Sequence, residues 1–216
     1  MVNLLLHYTL ILLVGASIVL QWRRPRATGM VGPWISTLLI AVFFVELTSR
    51  IVLLTGNYNA PVYNLSTMLE LALVLRIVGV VRPWDSWWLT GSLLLAAGMM
   101  VINYIQQGDL YFLLANGIIT QSALAVIWCS LGLWTLAQRA TRQVWKAPLF
   151  WFFMGTTLYF AGIIPYLGFL VPLFKQDPAL SAILYNIITV VAITRYLFTA
   201  WACHLAHTQG SWDDER

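Results

Sequence analysis

Four ionisable residues stand out by their setting: Glu46, Arg50, Glu70 and Arg76 lie within VELTSRIVLLTGNYNAPVYNLSTMLELALVLRI, a stretch otherwise apolar enough for lipid. Such groups can pair charges or carry a proton. Glu46 lies twelve residues before Tyr58 and Glu70 twelve after it. If the GNYN segment folds the stretch into a helical hairpin, both carboxylates share one depth, about 18 Å below the turn at 1.5 Å per residue. Arg50 follows Glu46 by one helical turn on the same face. The spacing predicts one ionic cluster of Glu46, Arg50 and Glu70 between neighbouring helices. A lone charge at a helix centre in lipid costs about 2.5–3.5 kcal/mol, so pairing is favoured. Two carboxylates around one guanidinium also leave surplus negative charge, the basis for a proton-carrying role. The other reading is a structural salt bridge that fixes helix register, and the sequence leaves both open.

Other polar residues fall at similar depth. Asn64 follows the turn; Asn116, Thr120 and Gln121 belong to a later apolar segment; Thr156, Tyr159 and Tyr166 to the next; Tyr185, Asn186 and Thr189 to the last. Together they suggest a polar cavity toward one membrane face, and Glu46, Arg50, Glu70, Asn64, Asn116, Gln121, Tyr166 and Asn186 are the candidate ligand-binding or proton-carrying residues. Taken singly, each Asn, Thr or Tyr is as well explained as interhelical glue. Gly162 and Pro165 are expected to kink their helix. Arg76 and Arg195 are expected to snorkel to the nearer interface.

The elements that must position these residues follow from composition. The chain has 216 residues, 60% hydrophobic and 9% charged, with a mean hydropathy of +0.79. Soluble domains carry roughly 25% charged residues, so this chain is expected to be an all-α polytopic membrane bundle, one domain over 1–216. Seven apolar segments are long enough to cross a bilayer: 3–22, 34–55, 61–81, 86–105, 112–137, 149–171 and 180–203. The first lacks the basic start and small-residue cleavage site of a secretory signal and reads as a span. Arg23, Arg24 and Arg26, then Arg82, then Arg139, Arg142 and Lys146 occupy alternate loops, while the remaining loops hold only Lys175. The positive-inside rule then puts the N-terminus outside and the C-terminus in the cytoplasm, in a cell's inner membrane.

Several chemistries are disfavoured. His7 and the pair His204 and His207 fall at opposite ends of the bundle, about 30 Å apart, and cannot share a metal. The last span has no lysine for a retinal Schiff base. No phosphate loop, nucleophile elbow or Cys-x-x-Cys motif occurs. Cys129 and Cys203 read as buried free thiols. The basic residues border apolar spans, so no face suits nucleic acid. The sequence implies no metal and no cofactor.

The segments NYNAPVYNLSTMLELALVL and ILYNIITVVAITRYLFTAW resemble small seven-helix bacterial membrane proteins of unknown function, in which an Asn-rich turn precedes a Tyr and then a Glu. Asn57, Asn59, Tyr63 and Glu70 occupy those positions. The resemblance implies a site around the outer turn and Glu70 but no reaction; Glu46 and Arg50 stand outside the pattern.

The leading expectation is a sensor or receptor-like subunit that binds a small or lipid-like ligand from outside. It would signal to a cytoplasmic or membrane partner through AQRATRQVWKAP and the C-terminal tail. A proton-coupled transporter using Glu46 or Glu70, a structural subunit of a larger membrane complex, and an intramembrane lipid-modifying enzyme are the alternatives.

Overall fold

The computed structural model describes residues 2–22, 30–139, 143–176, 178–209 and 211–212. They form seven α-helices: α1 (Val2–Trp22), α2 (Val31–Leu54), α3 (Ala60–Val81), α4 (Ser86–Gln107), α5 (Ala115–Arg139), α6 (Pro148–Gln176) and α7 (Pro178–Gln209). No strand occurs among the described residues. Apolar helices bond their own backbone groups, so they can bury themselves in an apolar medium without exposing unpaired backbone. Six helical segments are long and apolar enough to cross a membrane, and α1 adds an apolar stretch over Tyr8–Trp22. The chain is an all-helical bundle with the character of a multi-pass membrane protein.

Four helix ends differ from the sequence reading by three residues or more; α2 starts at Val31 rather than 34, and α6 runs to Gln176 rather than 171. α5 starts at Ala115 rather than 112, because Asn64 holds the preceding residues in irregular backbone. α7 runs to Gln209, six residues past the expected end at 203. No helix-stopping residue intervenes before Gly210, and the amphiphilic segment WACHLAHTQ continues the helix out of the apolar span. α6 stays one helix through Gly162 and Pro165.

The packing order is what makes a site possible. α1 contacts α2, α2 contacts α3, α3 contacts α5, α5 contacts α6, α6 contacts α7, and α7 returns to α1. Six helices thus close a ring, while α4 packs outside it against α3 and α5. We call the end carrying the α2–α3, α4–α5 and α6–α7 connections upper and the opposite end lower.

Local chemistry fixes the connections. Gly56 takes φ 79° after α2, a left-handed conformation that costs glycine least. Asn59 then donates its side-chain N–H to Ser49 Oγ at 2.9 Å, tying the start of α3 to α2. At the lower end Arg82 donates to Asp85 Oδ2 and Thr135 Oγ1, both at 2.5 Å, joining the α3–α4 connection to α5. Trp212 is fully buried and donates its indole N–H to Gln21 Oε1 at 3.2 Å, and Gln21 donates to Gly32 O. The segment after α7 therefore docks between α1 and α2. Arg23, Arg24, Arg26, Arg142 and the tail residues 213–216 lie outside the described residues.

Glycines set the closest helix approaches. A Cβ on Gly155 would stand 2.9 Å from Phe198 Cβ and 3.1 Å from Arg195 O, so α6 and α7 meet there backbone to backbone. Gly162, two turns further along α6, meets Val191 of α7.

Candidate functional site

The ring places polar side chains from several helices on its axis. Glu70 on α3 is ion-paired with Arg195 on α7; Arg195 is 2% exposed. The guanidinium carbon sits 4.8 Å from the Tyr159 ring centre, 5.4 Å from Phe160 and 5.3 Å from Tyr196. An arginine in an apolar bundle needs a counter-charge and weakly hydrated neighbours, and here it has both. This corrects two expectations. Arg195 does not snorkel to an interface, because α7 is longer than its apolar stretch and carries Arg195 to mid-bundle. Glu70 takes Arg195, not Arg50, as its partner.

Glu46 on α2 accepts a hydrogen bond from Tyr63 Oη on α3 at 3.3 Å. The expected cluster of Glu46, Arg50 and Glu70 is thus replaced by two separate contacts, Glu46 with Tyr63 and Glu70 with Arg195. Arg50 is half-buried one turn above Glu46 and lines neither of the cavities described next.

Two adjoining cavities occupy this axis. The deeper, about 40 Å³, is lined by Glu46, Tyr63, Ser66, Glu70, Tyr159 and Tyr196, among others. The upper, about 160 Å³, shares Glu46, Tyr63, Thr67 and Tyr159 and adds Tyr166, Tyr185 and an aliphatic wall. Below them the bundle is packed solid by Phe152, Phe153, Val74, Ile77 and Cys129, all at most 1% exposed. A wider groove of about 530 Å³ near the lower end between α3 and α4 carries Arg76, whose guanidinium lies 5.1 Å over Trp34.

The remaining candidates separate by position. Tyr166 lines the upper cavity. Asn64 is committed elsewhere: it donates to Leu110 O and Phe112 O at 3.2 and 2.9 Å and accepts from the Leu114 N–H at 3.0 Å. Both of its amide donors hold the α4–α5 connection. Asn116 is exposed near the start of α5 and lines neither cavity. Gln121 is 1% exposed, and neither its Oε1 nor its Nε2 has a hydrogen-bond partner; Asn186 Oδ1, Ser122 Oγ, Thr156 Oγ1 and Arg195 Nε share that condition. A buried polar group left unmet costs about 1–3 kcal/mol, so the interior is more polar than packing alone would tolerate.

Sequence reasoning passed over Arg195 as a pairing residue and Tyr63 as the Glu46 partner. A signal for the first was present: the spans hold two glutamates, and a buried carboxylate on a helix without its own cation calls for one on another helix. Comparison with protein-family models, curated proteins and solved structures finds no match for this chain.

Proposed function

We propose that the chain is a seven-span protein of a cytoplasmic membrane, N-terminus outside, that binds a small ligand in the upper cavity as a sensor or receptor-like subunit. The described Arg82, Arg139 and Lys146 stand at the lower end, as do the exposed Trp84, Trp87, Trp88 and Trp145. The tryptophans mark that end as a membrane interface, and the basic residues favour it as the cytoplasmic one. The observation that carries the ligand reading is the cavity itself. It is lined from several helices, holds a carboxylate at its base, and is closed below by the Glu70–Arg195 pair and the packed aromatic layer. A pocket with a packed floor suits recognition better than passage. In this reading ligand occupancy biases the packing of α6 and α7, which reach the lower end.

A proton-coupled transporter is the second reading, favoured by one observation: an ionisable pair joins α3 to α7 at the floor of the cavities, where a proton-carrying carboxylate would stand.

Cysteine access separates the two. In a chain with Cys129 and Cys203 replaced by alanine, Thr189→Cys in the cavity wall is expected to react with a membrane-impermeant thiol reagent. It should do so only from the side on which Tyr58→Cys reacts. Reaction from both sides would replace the sensor reading by the transporter, and no reaction from either side would remove the cavity as a ligand site.

A further inference from the structure

We propose that the groove near the lower end, between α3 and α4, binds one anionic phospholipid, with the lipid phosphate on Arg76 and an acyl chain along the aliphatic wall. The site is separate from the upper cavity and needs only the membrane-spanning reading of the helices. The groove measures about 530 Å³, and two facing stripes build it. Ala72, Arg76, Gly79 and Val80 follow one another at helical spacing along α3, and Ser86, Leu89, Thr90 and Leu93 do so along α4. The opposite face of α3, with Leu71, Val74, Ile77 and Val78, is buried in the ring, so the stripe with Arg76 faces outward. α4 packs outside the ring against α3 and α5, which leaves the groove on the lipid side of the bundle.

Arg76 has the chemistry for a phosphate. It is exposed, and its guanidinium carbon lies 5.1 Å over the Trp34 ring. An aromatic contact engages the face of a guanidinium, whereas its five N–H donors lie in the plane and suit the paired oxygens of a phosphate. Among the described residues Arg76 has no carboxylate partner. Ser86 adds a hydroxyl to the same groove. Depth agrees as well. Arg76 lies five residues from the end of α3 at Val81, about 8 Å at 1.5 Å per residue, and an arginine stem covers that span to reach headgroup level. The exposed Trp84, Trp87 and Trp88 mark that level as a membrane interface. Basic pockets between transmembrane helices take anionic headgroups in this way. The rest of the lining is nearly all hydrocarbon, which a soluble anion would not use and an acyl chain would. A cavity near 150 Å³ already holds benzene, so the groove has room for a phosphate and part of one chain.

The test follows thermal melting of the delipidated, detergent-purified protein as phosphatidylglycerol, phosphatidylcholine with the same chains, or soluble glycerol 3-phosphate is added. A ligand of the folded state raises the melting temperature in a saturable manner. Phosphatidylglycerol is expected to do so at a micellar mole fraction about tenfold below that of phosphatidylcholine, and glycerol 3-phosphate is expected to have no effect. Arg76→Gln should raise the half-stabilising phosphatidylglycerol fraction about tenfold, or ~1.4 kcal/mol. Arg139→Gln, which alters a lower-end cation held over Trp84 outside the groove, should leave it within about twofold. Thr90→Phe, which fills the groove and keeps every charge, should weaken both lipids alike, an independent check if the Arg76 variant does not fold. No stabilisation by either lipid, equal action of the two, saturable stabilisation by glycerol 3-phosphate, or equal loss in Arg76→Gln and Arg139→Gln overturns the assignment. So does a preference that emerges only when Asp213, Asp214 and Glu215 are neutralised, since Arg76 would then belong to the tail. None of these outcomes bears on the upper cavity, which stands or falls with Thr189→Cys.

Discussion

Removing Arg195 should cost far more than removing it together with Glu70. The pair is buried, with side-chain exposures of 2% and 13%, so Arg195→Met leaves a carboxylate in the bundle without its counter-charge. Breaking a buried pair by deleting one partner costs about 3–5 kcal/mol, whereas replacing both by apolar residues of similar volume is often neutral or stabilising. Methionine keeps an unbranched chain among Tyr159, Phe160 and Tyr196, which limits the packing loss. At about 2–4 °C per kcal/mol for a chain of this size, Arg195→Met should lower the melting temperature by about 6–20 °C. Glu70→Met should lower it comparably, since it strands the guanidinium instead. The double variant Glu70→Met/Arg195→Met should recover most of the loss. The assay is melting of the detergent-purified protein, followed by loss of the monodisperse size-exclusion peak after heating, for all four members of the cycle. A single Arg195→Met melting within about 2 °C of the parent, or a double variant less stable than either single, would refute the pairing argument.

Two further outcomes follow from the packing. Asn64→Leu removes the acceptor for the Leu114 N–H and both donors to the 110–112 carbonyls; at about 0.5–1.5 kcal/mol per bond it should cost about 2–4 kcal/mol. Limited proteolysis should then cut between Asp109 and Leu114 first, and a cut elsewhere would show that Asn64 does not hold this connection. Gly155→Ala places a Cβ 2.9 Å from Phe198 Cβ and 3.1 Å from a backbone oxygen, overpacking that costs about 1–3 kcal/mol. Melting should show that loss, whereas Gly98→Ala on α4, where a Cβ meets nothing within 4 Å, should be neutral or stabilising; equal effects at both sites would sink the close-approach reading.

Long apolar runs separated by Gly, Pro, Asn and Asp announced each helix, and all seven lie within a few residues of where the runs lie. That part was legible because a chain this apolar must satisfy its backbone internally, and helices do so using neighbours in sequence alone. The α2–α3 hairpin was legible for the same reason: its turn is local, and a count of residues places Glu46 and Glu70 on adjoining helices. The end of α7 was misjudged because hydropathy marks where lipid contact stops, and a helix can continue past that point.

Which charge meets which was another matter. Glu70 and Arg195 are 125 residues apart, and nothing local distinguishes Arg195 as a partner from Arg50, which is closer in sequence. The choice depends on ring closure, α7 against α1 and α6, with α4 left outside. Helix order around a ring follows from how side-chain volumes and glycine contacts fit between helices, and that information is spread over the whole chain. The sequence by itself determined the helices, most of their ends to within a turn, and the presence of carboxylates where lipid should be. Only the tertiary structure decided that Tyr63, Tyr159, Tyr166 and Tyr185 converge on one cavity with Glu46, because convergence is a property of helix rotation and neighbour choice, and both are set by packing.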